Sequence, residues 1–198
     1  MRVLLVLVRL WLFKKNKDLC RLAPGWPPVS LTAEMIFNAS SDKALITLLG
    51  DELLRVIPME VANGNYDNLA QYLKTLPVGL RSMAAVHRLD ISLSLDSLVE
   101  HFENFPGQAY AEETILGLLE LGLPKIAEQF ENAIIAVKPF INHYRAQSLS
   151  QETKSQLTAI TEIIWSELEH SGISSLLDSW PNYARKHPEK VVINPTNV

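Results

Sequence analysis

The chain has 198 residues, of which 47% are hydrophobic and 20% are charged, so it is long enough for one folded domain and is not a disordered chain. Its net charge of −4 argues against direct binding of nucleic acid, because that binding needs a basic surface to neutralise phosphates. The single cysteine, Cys20, cannot form an internal disulfide. We therefore expect a cytoplasmic protein without a Cys-based metal site.

The first 34 residues differ in composition from the rest. The apolar run MRVLLVLVRLWLF is too short to span a bilayer, so a membrane role is disfavoured. Its lysines follow the run, whereas a secretory signal carries its positive charge before it. Two interpretations stay open: a signal or anchor, and a natural start at Met35 that leaves residues 1–34 as an unstructured or mis-assigned extension. The expected organisation is a single helical domain over 35–190 and a tail over 191–198.

Helical periodicity begins near Ser41, which is a predicted N-cap for a helix over 42–61. The pair Asn63-Gly64 ends this helix, and two further helices are predicted over 66–73 and 80–89. Five more helices are predicted. They run from Ser94 to Pro106-Gly107, over 112–121 before Gly122, from Pro124 to near Pro139, from Ser150 to Gly172, and over 174–187. No segment alternates as a strand does. The prediction is an all-α, irregular bundle of seven or eight helices.

The predicted core lies on the apolar stripes of these helices. Its members are Leu98, Phe102, Leu118, Leu119, Ile126, Phe130, Ile134, Ile160, Ile164 and Trp165.

Motifs that carry chemistry are missing from the sequence. It has no Gly-rich phosphate loop, nucleophile elbow, paired-histidine zinc motif or CxxC pair. The spacing of Glu167 and His170 suits one half of a di-iron site, but no second copy exists, and His170 also suits a helix C-terminus. We therefore expect neither an enzyme nor a cofactor or metal, although a catalytic site assembled only by the fold stays open.

The charge is distributed unevenly along the chain. Between Leu89 and Val137 nine acids occur with the single base Lys125, so this stretch carries −8 and the rest of the chain +4. Like charges three and four residues apart on a helix repel, and ordinary surfaces reduce this cost by mixing in bases. Two interpretations follow, a merely solvated face and a protein-binding surface. The candidate residues for such a surface are Asp96, Glu100, Glu103, Glu112, Glu113, Glu120, Glu128 and Glu131.

The segment LDISLSLDSLVEHFENFPGQAYAEETILGLLELGLPKIAEQFENAI resembles the core of the DNA-mimic protein family. The matching residues are Phe102, Asn104, Gly107, Glu113, Leu118, Leu119, Leu121, Gly122, Ala127 and Ala133. The segment LLDSWPNYARKHPE, with Leu177, Tyr183 and His187, is similar to the family's closing helix. The resemblance covers about residues 76–189.

The resemblance implies an all-α, dimeric protein whose carboxylates stand in for DNA phosphates in the basic groove of a DNA-binding protein. The expected function is therefore that of an acidic, non-enzymatic interaction protein that binds a basic partner, for which a DNA-binding protein is one candidate. The alternative is a helical domain with a structural or small-ligand role, in which the acidic face is only solvated.

Overall fold

The computed structural model describes residues 29–62, 65–95, 97–141 and 149–193. In this part of the chain 77% of the residues are helical and no strand occurs, which confirms the all-α prediction. The α-helices are α1 (Ala33–Asn38), α2 (Asp42–Val56), α3 (Met59–Ala62), α4 (Tyr66–Leu73), α5 (Val78–Leu95), α6 (Leu98–Asn104), α7 (Gln108–Glu120), α8 (Pro124–Val137), α9 (Gln151–His170) and α10 (Trp180–Lys186). Two 3-10 helices, η1 (Leu176–Ser179) and η2 (Pro188–Lys190), flank α10.

Helix α5 is the centre of the bundle. It packs against α2, α4, α6, α7 and α10, and buried residues therefore lie on more than one of its faces. Helix α7 contacts α8, α8 contacts α9, and α9 returns to α6, so these helices form a connected group on α5. Helices α1 and α2 join the bundle largely through α10 and α5.

Local capping signals set most helix ends as predicted. The side chains of Ser41 and Ser150 accept hydrogen bonds from backbone N–H groups in the first turns of α2 and α9. Pro124 opens α8, where its missing N–H costs nothing. Gly122 and Gly172 follow α7 and α9 with φ of 79° and 69°, a left-handed conformation that favours glycine.

Several predicted helix boundaries are wrong. Helix α7 begins at Gln108, before the predicted range 112–121, and the predicted helix over 174–187 is the 3-10 helix η1 followed by α10. The first predicted helix is two helices, because Pro58 separates α2 from α3 and lacks the N–H that would continue the ladder. Ser94 does not cap a helix, since it lies inside α5, which continues past Leu93, a residue buried in the core. The next helix starts after Ser97 instead.

Both predicted domain boundaries fall inside packed structure. Leu31 is buried and its N–H donates to Glu52 Oε2 at 3.2 Å, so the chain is already part of the domain before residue 35. At the other end Val191 is fully buried against Gly79. A Cβ on Gly79 would lie 2.6 Å from Val191 Cγ1, so this approach requires glycine. Residues 1–28 and 194–198 lie outside the described residues.

Most of the predicted core is buried. The buried members are Leu98, Phe102, Leu118, Ile126, Phe130 and Ile164, while Ile134 and Ile160 are half-buried. Leu119 and Trp165 were predicted wrongly, since their exposed fractions are 49% and 39%. Each follows a buried residue directly and is therefore turned about 100° around its helix, away from the core.

Candidate protein-binding surface

Seven of the eight candidate acids lie on three helices of the described chain. Asp96 is outside the described residues, Glu100 and Glu103 lie on α6, and Glu128 and Glu131 lie on α8. Helix α7 carries the other three, which are Glu112, Glu113 and Glu120. The structure does not bring all of them together on one exposed surface, because several are ion-paired with bases from distant parts of the chain.

Glu113 is buried, with 4% of its side chain exposed, and therefore does not belong to a binding surface as predicted. Arg81 on α5 donates from Nε to Oε2 at 2.6 Å and from Nη2 to Oε1 at 2.8 Å. These hydrogen bonds raise the pKa of Arg81. Lys74 Nζ lies 3.7 Å from the same carboxylate. This carboxylate joins α7 to α5 and stabilises the bundle.

Glu120 and Glu103 are also neutralised within the chain. Lys190 Nζ donates to Glu120 Oε1 at 2.8 Å, and the Tyr183 hydroxyl donates to the same oxygen at 2.5 Å. The hydrogen bond from Lys190, followed by that from Tyr183, lowers the pKa of Glu120. Glu103 Oε1 lies 3.0 Å from Lys154 Nζ on α9. These two carboxylates therefore contribute little unbalanced charge to the surface.

Four candidate acids form no ion pair with a described base. Glu100 is half-buried and accepts a hydrogen bond from Asn104 Nδ2 at 2.7 Å. The other three are exposed, and we call Glu112, Glu128 and Glu131 the outer acidic set. Glu128 and Glu131 share the outward side of α8, and α7, which carries Glu112, packs against that helix. The outer acidic set is what remains of the predicted surface.

Glu167 and His170 each have another partner in the structure. Glu167 Oε2 lies 3.0 Å from Lys125 Nζ, and His170 Nδ1 lies 2.6 Å from the Ser166 carbonyl oxygen of its own helix. Across the described ranges, no group of three or more His, Cys, Asp or Glu side chains is placed to hold a metal ion. The predicted alternative for His170, a position at a helix C-terminus, agrees with this geometry.

A serine and a histidine nine residues apart meet in the core. Ser92 Oγ lies 3.2 Å from His101 Nδ1 and donates to the Arg88 carbonyl at 3.0 Å. Both side chains are buried, with 2% and 1% exposed, and the imidazole contacts the rings of Phe102, Phe105 and Phe130. The pair links α5 to α6 inside the core. Only the tertiary contact reveals it.

Burial of His101 predicts a stability that falls with acid. Burial lowers the pKa of His101 from 6.5 to about 3, so the unfolded chain binds more protons than the folded chain between these values. The free energy of unfolding should therefore fall as pH decreases from 6.5, by at most about 1.4 kcal/mol per pH unit from this residue. Chemical denaturation between pH 7 and about 5 measures the slope. His101→Phe should flatten it, and an unchanged slope would contradict the assignment.

Comparisons with protein-family models, curated proteins and solved structures give no match for this chain. The resemblance to the DNA-mimic family therefore gains no support from them. No helix among the described residues is both long and apolar enough to cross a membrane.

Proposed function

We propose that this chain is a non-enzymatic interaction protein that binds a basic protein through the outer acidic set. The observation that supports this proposal most is the contrast among the candidate acids. Glu103, Glu113 and Glu120 are paired with bases of the same chain, whereas Glu112, Glu128 and Glu131 are exposed and form no ion pair with a described base. Unpaired carboxylates on two packed helices attract lysine and arginine side chains of a partner.

The partner is a basic protein, and the family resemblance favours one that binds DNA through a basic groove. In that form of the proposal, the three carboxylates occupy positions that phosphates take on DNA. Only part of the predicted row of acids is free for this role, so the proposed surface is smaller than the sequence indicated. The same proposal includes that the protein acts in the cytoplasm and forms a homodimer.

Removing the charges of the outer acidic set tests this function. A triple variant with Glu112→Gln, Glu128→Gln and Glu131→Gln keeps side-chain size and helix propensity, so its melting temperature should stay close to that of the parent chain. Capture of basic proteins by the immobilised full chain should be strong at about 50 mM salt and weak at about 200 mM, and the variant should lose it.

A second triple variant controls for net charge. Glu34→Gln, Glu60→Gln and Glu169→Gln remove the same charge from exposed positions on α1, α3 and α9. This control should capture the same proteins as the parent chain. Equal capture by both variants and the parent would leave the alternative, a solvated face on a domain with a structural or small-ligand role.

A further inference from the structure

A shallow, largely apolar groove runs between α8 and α9. It has a volume of about 390 Å³, and its lining residues are Asn132, Ile135, Ala136, Gln156, Ala159 and Ile160. The two helices are antiparallel, since Lys125 near the start of α8 pairs with Glu167 near the end of α9. The side chain of Ile135 is 64% exposed, and that of Ile163, one turn beyond Ala159, is 45% exposed. Large apolar side chains therefore face water along this groove.

Acidic side chains border the groove on both helices. The four exposed acids are Glu128, Glu131, Glu152 and Glu162, and none forms an ion pair with a described residue. Glu131 lies one turn before Ile135, and Glu152 lies one turn before Gln156, so helical spacing places both beside the lining residues. Lys125 of α8 and Lys154 of α9 are neutralised by Glu167 and Glu103, and Lys138 follows α8 as its C-cap. The border is therefore strongly negative around an apolar floor.

We propose that this groove binds one amphipathic helix with a basic face, supplied by the partner protein. The proposal rests on the proposed function and adds the chemistry of the partner. Two packed antiparallel helices leave a groove that accepts the side chains of a third helix. Burial of Ile135 and Ile163 supplies apolar contact, and lysine or arginine on the flanks of the bound helix reaches the bordering carboxylates.

Other occupants fit the charge less well. A second copy of this face would place its own four carboxylates opposite the same four, and like charges across an interface oppose association. Nucleic acid and an anionic lipid surface are repelled for the same reason. A purely apolar helix would leave the acidic border without a counter-charge. Charge complementarity therefore selects a basic amphipathic helix.

Two synthetic helical peptides of equal length test this inference on the full chain. They share one leucine stripe with helical spacing and carry lysine or glutamate at all other positions. In an NMR titration the lysine peptide should shift the signals of Ile135, Ala159 and Ile163. It should bind at least about tenfold more tightly than the glutamate peptide at low salt and lose that advantage as salt rises. Equal binding of both peptides overturns the inference.

Matched variants locate the binding site. Ile135→Gln with Ile163→Gln should weaken binding of the lysine peptide at least about fivefold, because both side chains lose apolar contact. The control, Leu116→Gln with Leu119→Gln, changes two exposed leucines of α7 and should leave affinity within about twofold. All four positions are exposed, so melting temperatures should change little. An unchanged affinity in the isoleucine variant would show that the groove is not the binding site.

The same peptides separate this inference from the proposed function. If the triple variant of the outer acidic set loses the lysine peptide while the isoleucine variant keeps it, the acidic surface stands and the groove fails. If the isoleucine variant loses the peptide while the acidic triple variant keeps it, the proposed function fails and the charge argument for the groove fails with it. A dimer seen by sedimentation velocity and abolished by the isoleucine pair would assign the groove to a second copy and overturn the inference.

Discussion

Leu118→Ala should lower the free energy of unfolding by about 2–5 kcal/mol. Leu118 is fully buried on α7, a helix that packs against both α5 and α8. Its neighbour Gly117 lets α7 approach α5 so closely that a Cβ there would lie 2.9 Å from the Ser82 carbonyl oxygen. Helices in such close contact have little room to move, so the cavity left by the alanine should stay largely open.

Leu119→Ala provides the matched control, because it removes the same atoms from the next residue of the same helix. Leu119 is 49% exposed, so its truncation should cost less than about 0.5 kcal/mol. Urea denaturation of the full chain and both variants, followed by far-UV circular dichroism, measures the two differences. Similar losses for the two variants would show that the orientation of α7 differs from that described.

Glu113→Gln should also lower the free energy of unfolding strongly, by about 2–3 kcal/mol. The amide keeps the size of the carboxylate but removes the charge that balances Arg81 at the contact of α5 and α7. The loss should fall below the range for a fully buried pair, because 27% of the Arg81 side chain is exposed and water partly replaces the lost partner. Thermal and urea unfolding of the variant measure it.

Glu112→Gln is the control for this substitution. Glu112 is the adjacent residue, is exposed, and accepts a hydrogen bond only from Gln108 among the contacts described, so the change should alter stability by less than about 0.5 kcal/mol. The pair of variants also separates two kinds of carboxylate. Glu113→Gln should lower stability and Glu112→Gln should affect only binding. A stable Glu113→Gln protein would contradict the buried ion pair.

Helix positions were largely predictable because their signals are local. The bounds of α4 agree with the predicted range 66–73, and α9 lies between its predicted signals Ser150 and Gly172, since capping residues and apolar spacing are local to each helix. The break at Pro58 is itself a local signal, whereas at Ser94 tertiary packing outweighed one. Ser94 has the chemistry of an N-cap, but burial of Leu93 extends α5 past it.

The sequence by itself determined the helical class, most helix ends and the excess of acids between Leu89 and Val137. These properties depend on residue type and on spacing of a few positions. Only the tertiary structure decided which acids are free, because the bases that neutralise the other acids are distant from them along the chain. Arg81 lies 32 residues from Glu113, and Lys190 lies 70 residues from Glu120. An ion pair depends on distance in space, which charge counting along a sequence does not measure.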